Sequence, residues 1–512
     1  MLNPPKQHHT SSSPRQQPTL TFDLSELEKD NESKRESKQD TGGTGTQDDD
    51  SESASTSSSS ADSYLSRQSA PAIMMTVTHQ QHPHPKSSAK GASLLWPPTD
   101  RDLMAAVRTA LHWTPRKRTK PIFDFALSTA AANRNFATLQ KADFDLQMLL
   151  MSDGYSPLQP GSEFRPVSLL APVLEGHPLW PRLRNTLLRG AEMELKPIPE
   201  QDRLTHLDKA IAYGNHKSAT THSDFLVPIL QKEVAKGWHL PLPIDRLHEI
   251  PGLVVGPMGA VAQQSIDENG NPLPKIRMTH DQSFTYELET IESVNQRVIP
   301  SSLPKCVYGF TLRRLAHAIV ALRGLFPLIA ILIGKLDYKS AYRRMHLHAL
   351  SALQSVITTQ GLTDDPVALA SLRVTFGGRP SPFLFSDLSE QVADLANVLT
   401  RCKLWDPAEL LPKLSSLIGQ PKLADKSIPF APARQMIVNP GTDSHGLTDV
   451  FLDDLVSVFP ALSKKHIDRC SMAALLALES QADHSSMPNP SNGKQCLPSK
   501  KQWQRVPHPR HR

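Results

Sequence analysis

Two short apolar runs, far apart in the chain, carry aspartates where a buried strand would not readily tolerate them. Ile329-Ala330-Ile331-Leu332-Ile333 leads through Gly334-Lys335-Leu336 into Asp337. Asp449-Val450-Phe451-Leu452-Asp453-Asp454-Leu455-Val456-Ser457-Val458-Phe459 places an acidic pair inside a stretch rich in Val and Phe. Such composition favours strand over helix. A carboxylate at the end of a buried strand is costly unless something cationic meets it, so a fold that accepts these runs must bring the acids to a place a cation can reach. Strand periodicity sends Asp453 and Asp454 to opposite faces unless the pair occupies a hairpin turn, where both reach one site. Taken singly, Asp337 reads as well as a cap or a surface residue, and Asp453-Asp454 as a plain turn. Taken together they match the need of phosphoryl transfer, in which carboxylates from separate elements hold two divalent ions. Oxygen ligands with no His or Cys nearby favour Mg²⁺ over Zn²⁺.

The rest of the chain frames these runs. Residues 1–95 are rich in Ser, Thr, Gln and Asp, including Asp48-Asp49-Asp50 and Ser57-Ser58-Ser59-Ser60, and cannot bury enough apolar area to offset chain entropy. A disordered tail is expected there. It contains Asp40-Thr41-Gly42, a match to the retroviral-type aspartic protease signature that lacks the flanking apolar strands such a loop needs, and His79, His82 and His84 in a Pro-containing polar linker. Residues 96–224 read as a mostly helical extension. Thr99 with Asp102 forms a capping pair, and helices are expected near 178–188, 200–213 and 224–236, punctuated by Gly190, Gly214 and Gly237. Arg182, Arg184 and Arg189 put charge on the first of these, which suits either a solvated face or a nucleic-acid strand. From Gly237 the texture shifts to short apolar runs broken by Gly and Pro. Asn269-Gly270 marks a hairpin between strands near Ile266 and Lys275, and helices over 311–323 and after Ser381 complete an α+β pattern.

The net charge of +5 permits a nucleic-acid partner without arguing strongly for one. Cys306, Cys402, Cys470 and Cys496 are too scattered for a zinc knuckle or a disulfide framework, which points to a reducing, intracellular setting. No secretory signal is present, and the longest apolar stretch, 324–334, is far shorter than the ~20 residues a membrane-spanning helix needs. A soluble protein, cytoplasmic or nuclear, is expected.

In order along the chain, several motifs resemble a reverse transcriptase of the kind retroelements encode, over residues 225–480. Pro274-Lys275-Ile276-Arg277-Met278-Thr279-His280-Asp281-Gln282-Ser283-Phe284, followed by Ser293-Val294-Asn295, is similar to the fingers motif. The resemblance implies that Lys275 and Arg277 contact the triphosphate of the incoming nucleotide. Asp337-Tyr338-Lys339-Ser340-Ala341-Tyr342 resembles the first palm motif. By that likeness Asp337 binds metal and Tyr342 is the steric gate against a 2′-hydroxyl; a plain core aromatic is the alternative. Lys339, Arg343 and Arg344 add charge where template or primer phosphates would pass. Phe376-Gly377-Gly378-Arg379-Pro380-Ser381-Pro382 is similar to the next palm motif, with Gly377 and Gly378 letting the backbone approach the base pair, Ser381 as an N-cap, and Leu384, Leu388, Val392, Leu395 and Leu399 as a core stripe. Phe451-Leu452-Asp453-Asp454 resembles the third, with Asp453 joining Asp337 on the metals and Asp454 assisting.

The implied architecture is polymerase fingers and palm, an antiparallel sheet with packed helices. The implied activity is RNA-directed DNA synthesis with Mg²⁺ or Mn²⁺, deoxynucleoside triphosphates, and an RNA or DNA template with its primer. The sequence departs from the family's pattern at Phe376, where Gln is common, at Phe451, where Tyr is commoner, and in a long Pro-rich stretch after Trp405 that is expected to form an inserted lobe. After Phe459 a helix over 466–478 and a basic tail over 481–512 follow, with nothing that reads as a thumb or a ribonuclease H. The chain is therefore expected to be truncated after the third palm motif. The alternative to an enzyme is an inactive retroelement product that at most binds nucleic acid.

Overall fold

A computed structural model of the chain describes residues 96–115, 117–154, 156–266, 272–286, 291–303, 308–338, 340–407 and 446–482, with the backbone of a two-residue strand, Gln504–Arg505. Asp40-Thr41-Gly42, the histidines of the N-terminal linker, the Asn269-Gly270 turn, Lys339, the expected lobe over 408–445, Cys306, Cys496 and nearly all of the two expected tails lie outside the described residues.

Among the described residues, eight helices precede the first strand: α1 Asp100–His112, α2 Thr129–Lys141, α3 Leu146–Ser152, α4 Val167–Leu174, α5 Trp180–Arg189, α6 Glu200–Tyr213, α7 Lys217–Thr221 and α8 Ser223–Ala235. The punctuation visible in the sequence sets several of their ends. The Thr99 hydroxyl accepts the Asp102 amide at the start of α1, and Gly190, Gly214 and Gly237 take positive φ just beyond α5, α6 and α8, the left-handed turn that closes a helix most cheaply at glycine.

The strands form three antiparallel groups. β1 (His239–Leu242) is buried throughout. β2 (Met258–Ile266) and β3 (Pro272–His280) make the expected hairpin, in register from Met258↔His280 to Ile266↔Pro272. After the short α9 (Val294–Arg297) comes α10 (Thr311–Leu325), then β4 (Ile331–Asp337), α11 (Ala349–Leu353), β5 (Val356–Thr358) and β6 (Ala368–Ser371). The long α12 (Ser381–Arg401) leads to β7 (Leu447–Phe451), β8 (Asp454–Pro460), α13 (Lys464–Glu479) and β9 (Gln504–Arg505). One sheet has the order β1-β6-β5 and another β7-β8-β4-β9, so the chain is α+β.

A single large core joins α1 to α13: Leu103, Phe136, Leu187, Leu240, Tyr342, Phe385, Val450 and Leu475 all belong to it. Arg165, 1% exposed, donates through Nε and Nη2 to the Glu479 carbonyl, and Phe164 bridges Ala482. The leading helices thus bury their apolar faces against the elements that follow them, and the boundary drawn between 224 and 225 falls inside α8.

One local expectation is corrected: Ser381 is the first helical residue of α12 rather than its cap, and Pro380 holds the cap position with no side-chain bond. The core stripe of α12 is buried as expected, and burial extends beyond it. Leu384, Leu388, Val392, Leu395 and Leu399 are buried, but so are Ser386, Asp387, Ser389, Glu390 and Gln391, because α5, α13 and β7 pack around it. Among the described residues no helix is long and apolar enough to cross a membrane.

Candidate active site

β4 and β8 lie side by side, so the two acidic runs meet. Asp337, the last residue of β4, stands directly opposite Asp454, the first of β8. Directly opposed residues of an antiparallel pair share a face, with Cβ atoms roughly 5 Å apart. β7 and β8 close through a two-residue turn, Leu452-Asp453, with Phe451 and Asp454 as its last pair. The acidic pair therefore does occupy a hairpin turn. The turn forces Leu452 to φ +56°, a conformation that costs a branched side chain of order 1 kcal/mol or more and is found chiefly where the surroundings over-determine it. The Asp453 carbonyl accepts the Tyr338 amide at 3.1 Å, which ties the turn to the residue after Asp337.

The charges around these acids are uneven. Burial holds the Asp453 carboxyl above the usual range, against the hydrogen bond from its own backbone amide; the negative charges of Asp454 and Asp337 add to the rise and Lys335 opposes it more weakly. Lys335 lies two residues before Asp337 on β4, hence on the same face, and its Nζ bonds Asp454 Oδ2. Asp449, the first acid of the second run, is engaged elsewhere. Arg314 of α10 clasps it through Nε at 2.5 Å and Nη2 at 2.7 Å, and the neighbouring Thr311 hydroxyl donates to the Val450 carbonyl at 2.5 Å, so Asp449 fastens α10 to β7. As they stand, Asp337, Asp453 and Asp454 are hard oxygen donors of the type Mg²⁺ or Mn²⁺ prefers. Yet among the described residues no group of three or more His, Cys, Asp or Glu side chains is gathered closely enough to hold a metal ion, and Lys335 already supplies Asp454 with a cation.

Tyr342 sits in the 3-10 turn Ala341–Arg344, only 7% exposed. Its ring lies 4.8 Å from Phe376 and 5.6 Å from Phe385, centroid to centroid. Burial and then the charge of Asp453 push its hydroxyl pKa up, so it lies within electrostatic reach of the acidic turn. Both the core and the site readings of Tyr342 thus describe part of its surroundings.

The loop glycines are explained by their own chain. Gly377 has φ +111°, and a Cβ there would meet the His280 carbonyl oxygen at 1.8 Å; one at Gly378 would meet Gln282 Oε1 at 2.7 Å. Asn295 clamps the same loop, its Nδ2 donating to the Gly377 carbonyl at 2.8 Å and its Oδ1 accepting the Arg379 amide at 2.7 Å. Lys275 and Arg277 project from one face of β3, exposed, and among the described residues neither is held by a hydrogen bond or an ion pair.

Arg343 and Arg344 do not line a phosphate path. Arg343, 6% exposed, pairs with Glu233 at 3.0 Å, and Arg344 pairs with Glu163 at 2.9 Å. A glutamate, buried at Glu163 and partly buried at Glu233, draws each arginine inward, which the sequence of the motif alone gives no means of seeing. Arg182 bonds Asp387 at 3.0 Å while Arg184 and Arg189 are exposed. The residues that sequence reasoning passed over are Lys335 and Arg314, and Asn295 was placed in the fingers motif without a role. Lys335 had a signal in its two-residue spacing from Asp337, and Arg314 had none.

No protein-family model and no curated protein matches this chain. Among solved structures it is similar to a foamy viral protease-reverse transcriptase determined in complex with double-stranded DNA, at 12% identity and a TM-score of 0.25, over 59% of this chain and 36% of that one. The chain spans little more than a third of that protein's length, and a likeness this slight carries no argument about the site.

Proposed function

We propose that residues 225–480 form reverse-transcriptase-like fingers and palm, preceded by a helical extension over 96–224, and that the chain performs nucleotidyl transfer onto a primer 3′-hydroxyl. One observation carries this reading. Two acidic runs far apart in sequence are placed in register, Asp337 opposite Asp454 with Asp453 in the adjoining turn. Glu163 and Glu233 elsewhere in the molecule are given cations; Asp453 instead has Asp454 and Asp337 beside it.

In this reading Asp337, Asp453 and Asp454 hold Mg²⁺ or Mn²⁺, with Asp454 released from Lys335. Two such ions, when bound, stabilise the attacking and leaving oxygens of an in-line displacement. The rest falls to the chain's own side chains. Lys275 and Arg277, exposed on one face of β3, receive the triphosphate, the guanidinium as a fork and the ammonium as a point charge. Tyr342 stands against the sugar. Gly377 and Gly378 keep the loop close to β3, which brings the phosphate-binding strand and the palm loop into one fixed unit. The partners are an RNA or DNA template with its primer and deoxynucleoside triphosphates, in an intracellular setting.

Primer extension on an RNA template with Mg²⁺ or Mn²⁺ tests the reading, with Asp453→Asn as the control. Extension that disappears in the variant supports it; extension that survives belongs to another enzyme. A second reading, an inactive product that at most binds nucleic acid, is favoured by the Lys335–Asp454 pair and by the carboxylates' lack of a gathered set among the described residues. It predicts binding of a primer–template duplex with no extension under either metal.

A further inference from the structure

Phe376 stands between Tyr342 and solvent. Tyr342 is 7% exposed and Phe376 43%, and their rings lie tilted at 35° with centroids 4.8 Å apart. On its inner side Tyr342 meets Phe385, which in turn meets Tyr338 at 5.3 Å. The aromatic surface this stack presents to solvent is therefore that of Phe376, backed by Tyr342, whose hydroxyl feels the charge of Asp453.

This ring is also held in place. The Phe376 carbonyl accepts the His280 amide at 3.2 Å, and the next residue, Gly377, cannot move toward β3 because the His280 carbonyl oxygen already fills the space where a Cβ would be. Asn295 bonds the Gly377 carbonyl and the Arg379 amide, and reaches Ser283 at 2.8 Å. A half-exposed ring on a loop fixed at three points is a preorganised surface. It costs little further ordering when a ligand arrives.

We infer that Phe376 is the residue that selects the sugar of the nucleotide, favouring a deoxyribonucleoside triphosphate over its ribonucleoside counterpart. The inference rests on the polymerase reading above and relocates the contact that reading gives to Tyr342. The physical cause is desolvation. A 2′-hydroxyl pressed against the Phe376 ring gives up its bonds to water and receives none, whereas a 2′-methylene loses nothing. Apolar contact of this kind rejects an added hydroxyl by at most about 10²-fold. Tyr342 then acts as a positioning residue that keeps the Phe376 ring from folding inward.

Equilibrium binding of dATP and of ATP, to the full chain with a dideoxy-terminated primer on a template and Mg²⁺, measures the selection without any need for turnover. The unaltered chain is expected to prefer dATP. Phe376→Ala is expected to erase about tenfold or more of that preference by tightening ATP, with dATP changed by less than about threefold. Phe376→Leu, still apolar, keeps most of it. Thermal melting of each variant alongside shows that folding is intact, as expected for a side chain that is nearly half exposed. If Phe376→Ala leaves the ratio unchanged while Tyr342→Ala collapses it, the inference is overturned and Tyr342 is the gate. If the unaltered chain binds both nucleotides without preference, the inference also fails, although the polymerase reading stands. Binding of neither nucleotide overturns both.

Discussion

Glu163 and Glu233, inside this chain, and Asp453, at the tip of its β7–β8 hairpin, keep opposite company. Burial pushes Glu163 upward, yet the charges of Arg373, Arg344 and Arg118 outweigh it and hold the carboxyl below its usual range. Glu233 is treated in the same way by Arg343, His239 and Lys236, and falls to about 2. At the hairpin, burial raises Asp453 and two neighbouring aspartates act in the same direction, against the hydrogen bond from its own backbone amide and the weaker pull of Lys335. Glu163 and Glu233 are thus already satisfied, with Arg373 and Arg344 reaching back to Glu163 and Arg343 to Glu233 across long stretches of sequence. Asp453 sits beside like charges, while Asp454 is held by Lys335. Like-charge crowding in a partly open place is the pattern that marks a functional site more often than a structural one.

The sharpest way to break this comparison is to remove an interior acid. Glu163→Gln leaves the fully buried Arg373 without its carboxylate partner and deprives Arg344 of its own. Breaking a buried pair from one side typically costs ~3–5 kcal/mol, and urea denaturation is expected to show a loss of that order. A loss below about 1 kcal/mol would mean that the network is replaceable and that the contrast between the regions is overdrawn.

Acid should act on the interior in two stages. Burial, with Arg343 and His239 nearby, lowers His280 to about 3, and burial with Arg297 lowers His206 to about 4, both from 6.5. These histidines stay neutral in the fold while the unfolded chain takes up protons, so stability falls as pH drops below about 6.5 and goes on falling to about 3–4. Glu233 has a depressed folded pKa, so its contribution is complete above 4.5 and is lost as pH falls toward about 2, a change of roughly 3 kcal/mol. Denaturant midpoints measured from pH 7 to pH 3 should decline in both windows. Glu233→Gln should flatten the lower one, and a decline unaltered in that variant would assign the acid lability to other groups.

Lys335 is the point where the two regions resemble each other, since it gives Asp454 the kind of partner the interior acids have. Lys335→Met removes that partner. If the hairpin acids form a cation site, Mn²⁺ should bind the variant about fivefold more tightly, since one competing charge at half-exposed range is worth ~1 kcal/mol. Titration followed by the electron paramagnetic signal of free Mn²⁺ reads this directly. Affinity that is unchanged or weaker would make Lys335 a bystander or a ligand-orienting group instead of a competitor.

Much of this was legible in the sequence where a rule is local. Gly190, Gly214 and Gly237 fixed helix ends because a left-handed turn favours glycine within one residue of the stop, and the hairpin over 258–280 was visible from its turn and its flanking strands. The adjacency of Asp337 and Asp454 was reached only through the acids' unsuitability for buried strands, and the register itself needed coordinates. What the sequence hid is what depends on contacts between distant segments. Arg343 and Arg344 read as a basic patch because Glu233 and Glu163 are more than a hundred residues away. The burial of the polar residues of α12 has no local signal, since nothing nearby in sequence tells that helices and a strand surround it. Gly377 and Gly378 read as room for a ligand, whereas their space is filled by His280 and Gln282.

The smallest expected effect is also the one that separates the two regions by sign. A carboxyl whose folded pKa lies above its unfolded value contributes stability at low pH, and that contribution is lost as pH rises through the folded pKa. At neutral pH the charge on Asp453 is therefore a net cost to the fold, the reverse of Glu163. Asp453→Asn removes the charge and keeps the backbone carbonyl that accepts the Tyr338 amide. Asparagine is also at ease in a tight turn. Because Asp453 is half-buried, solvent screens part of the repulsion, and the gain should be no more than ~0.5 kcal/mol. Thermal melting at neutral pH is expected to show Asp453→Asn as stable as the unaltered chain or slightly more so, while primer extension is lost. A clear fall in melting temperature would place Asp453 with the interior acids, as a residue kept for folding, and would remove the main physical ground for reading the hairpin as a site.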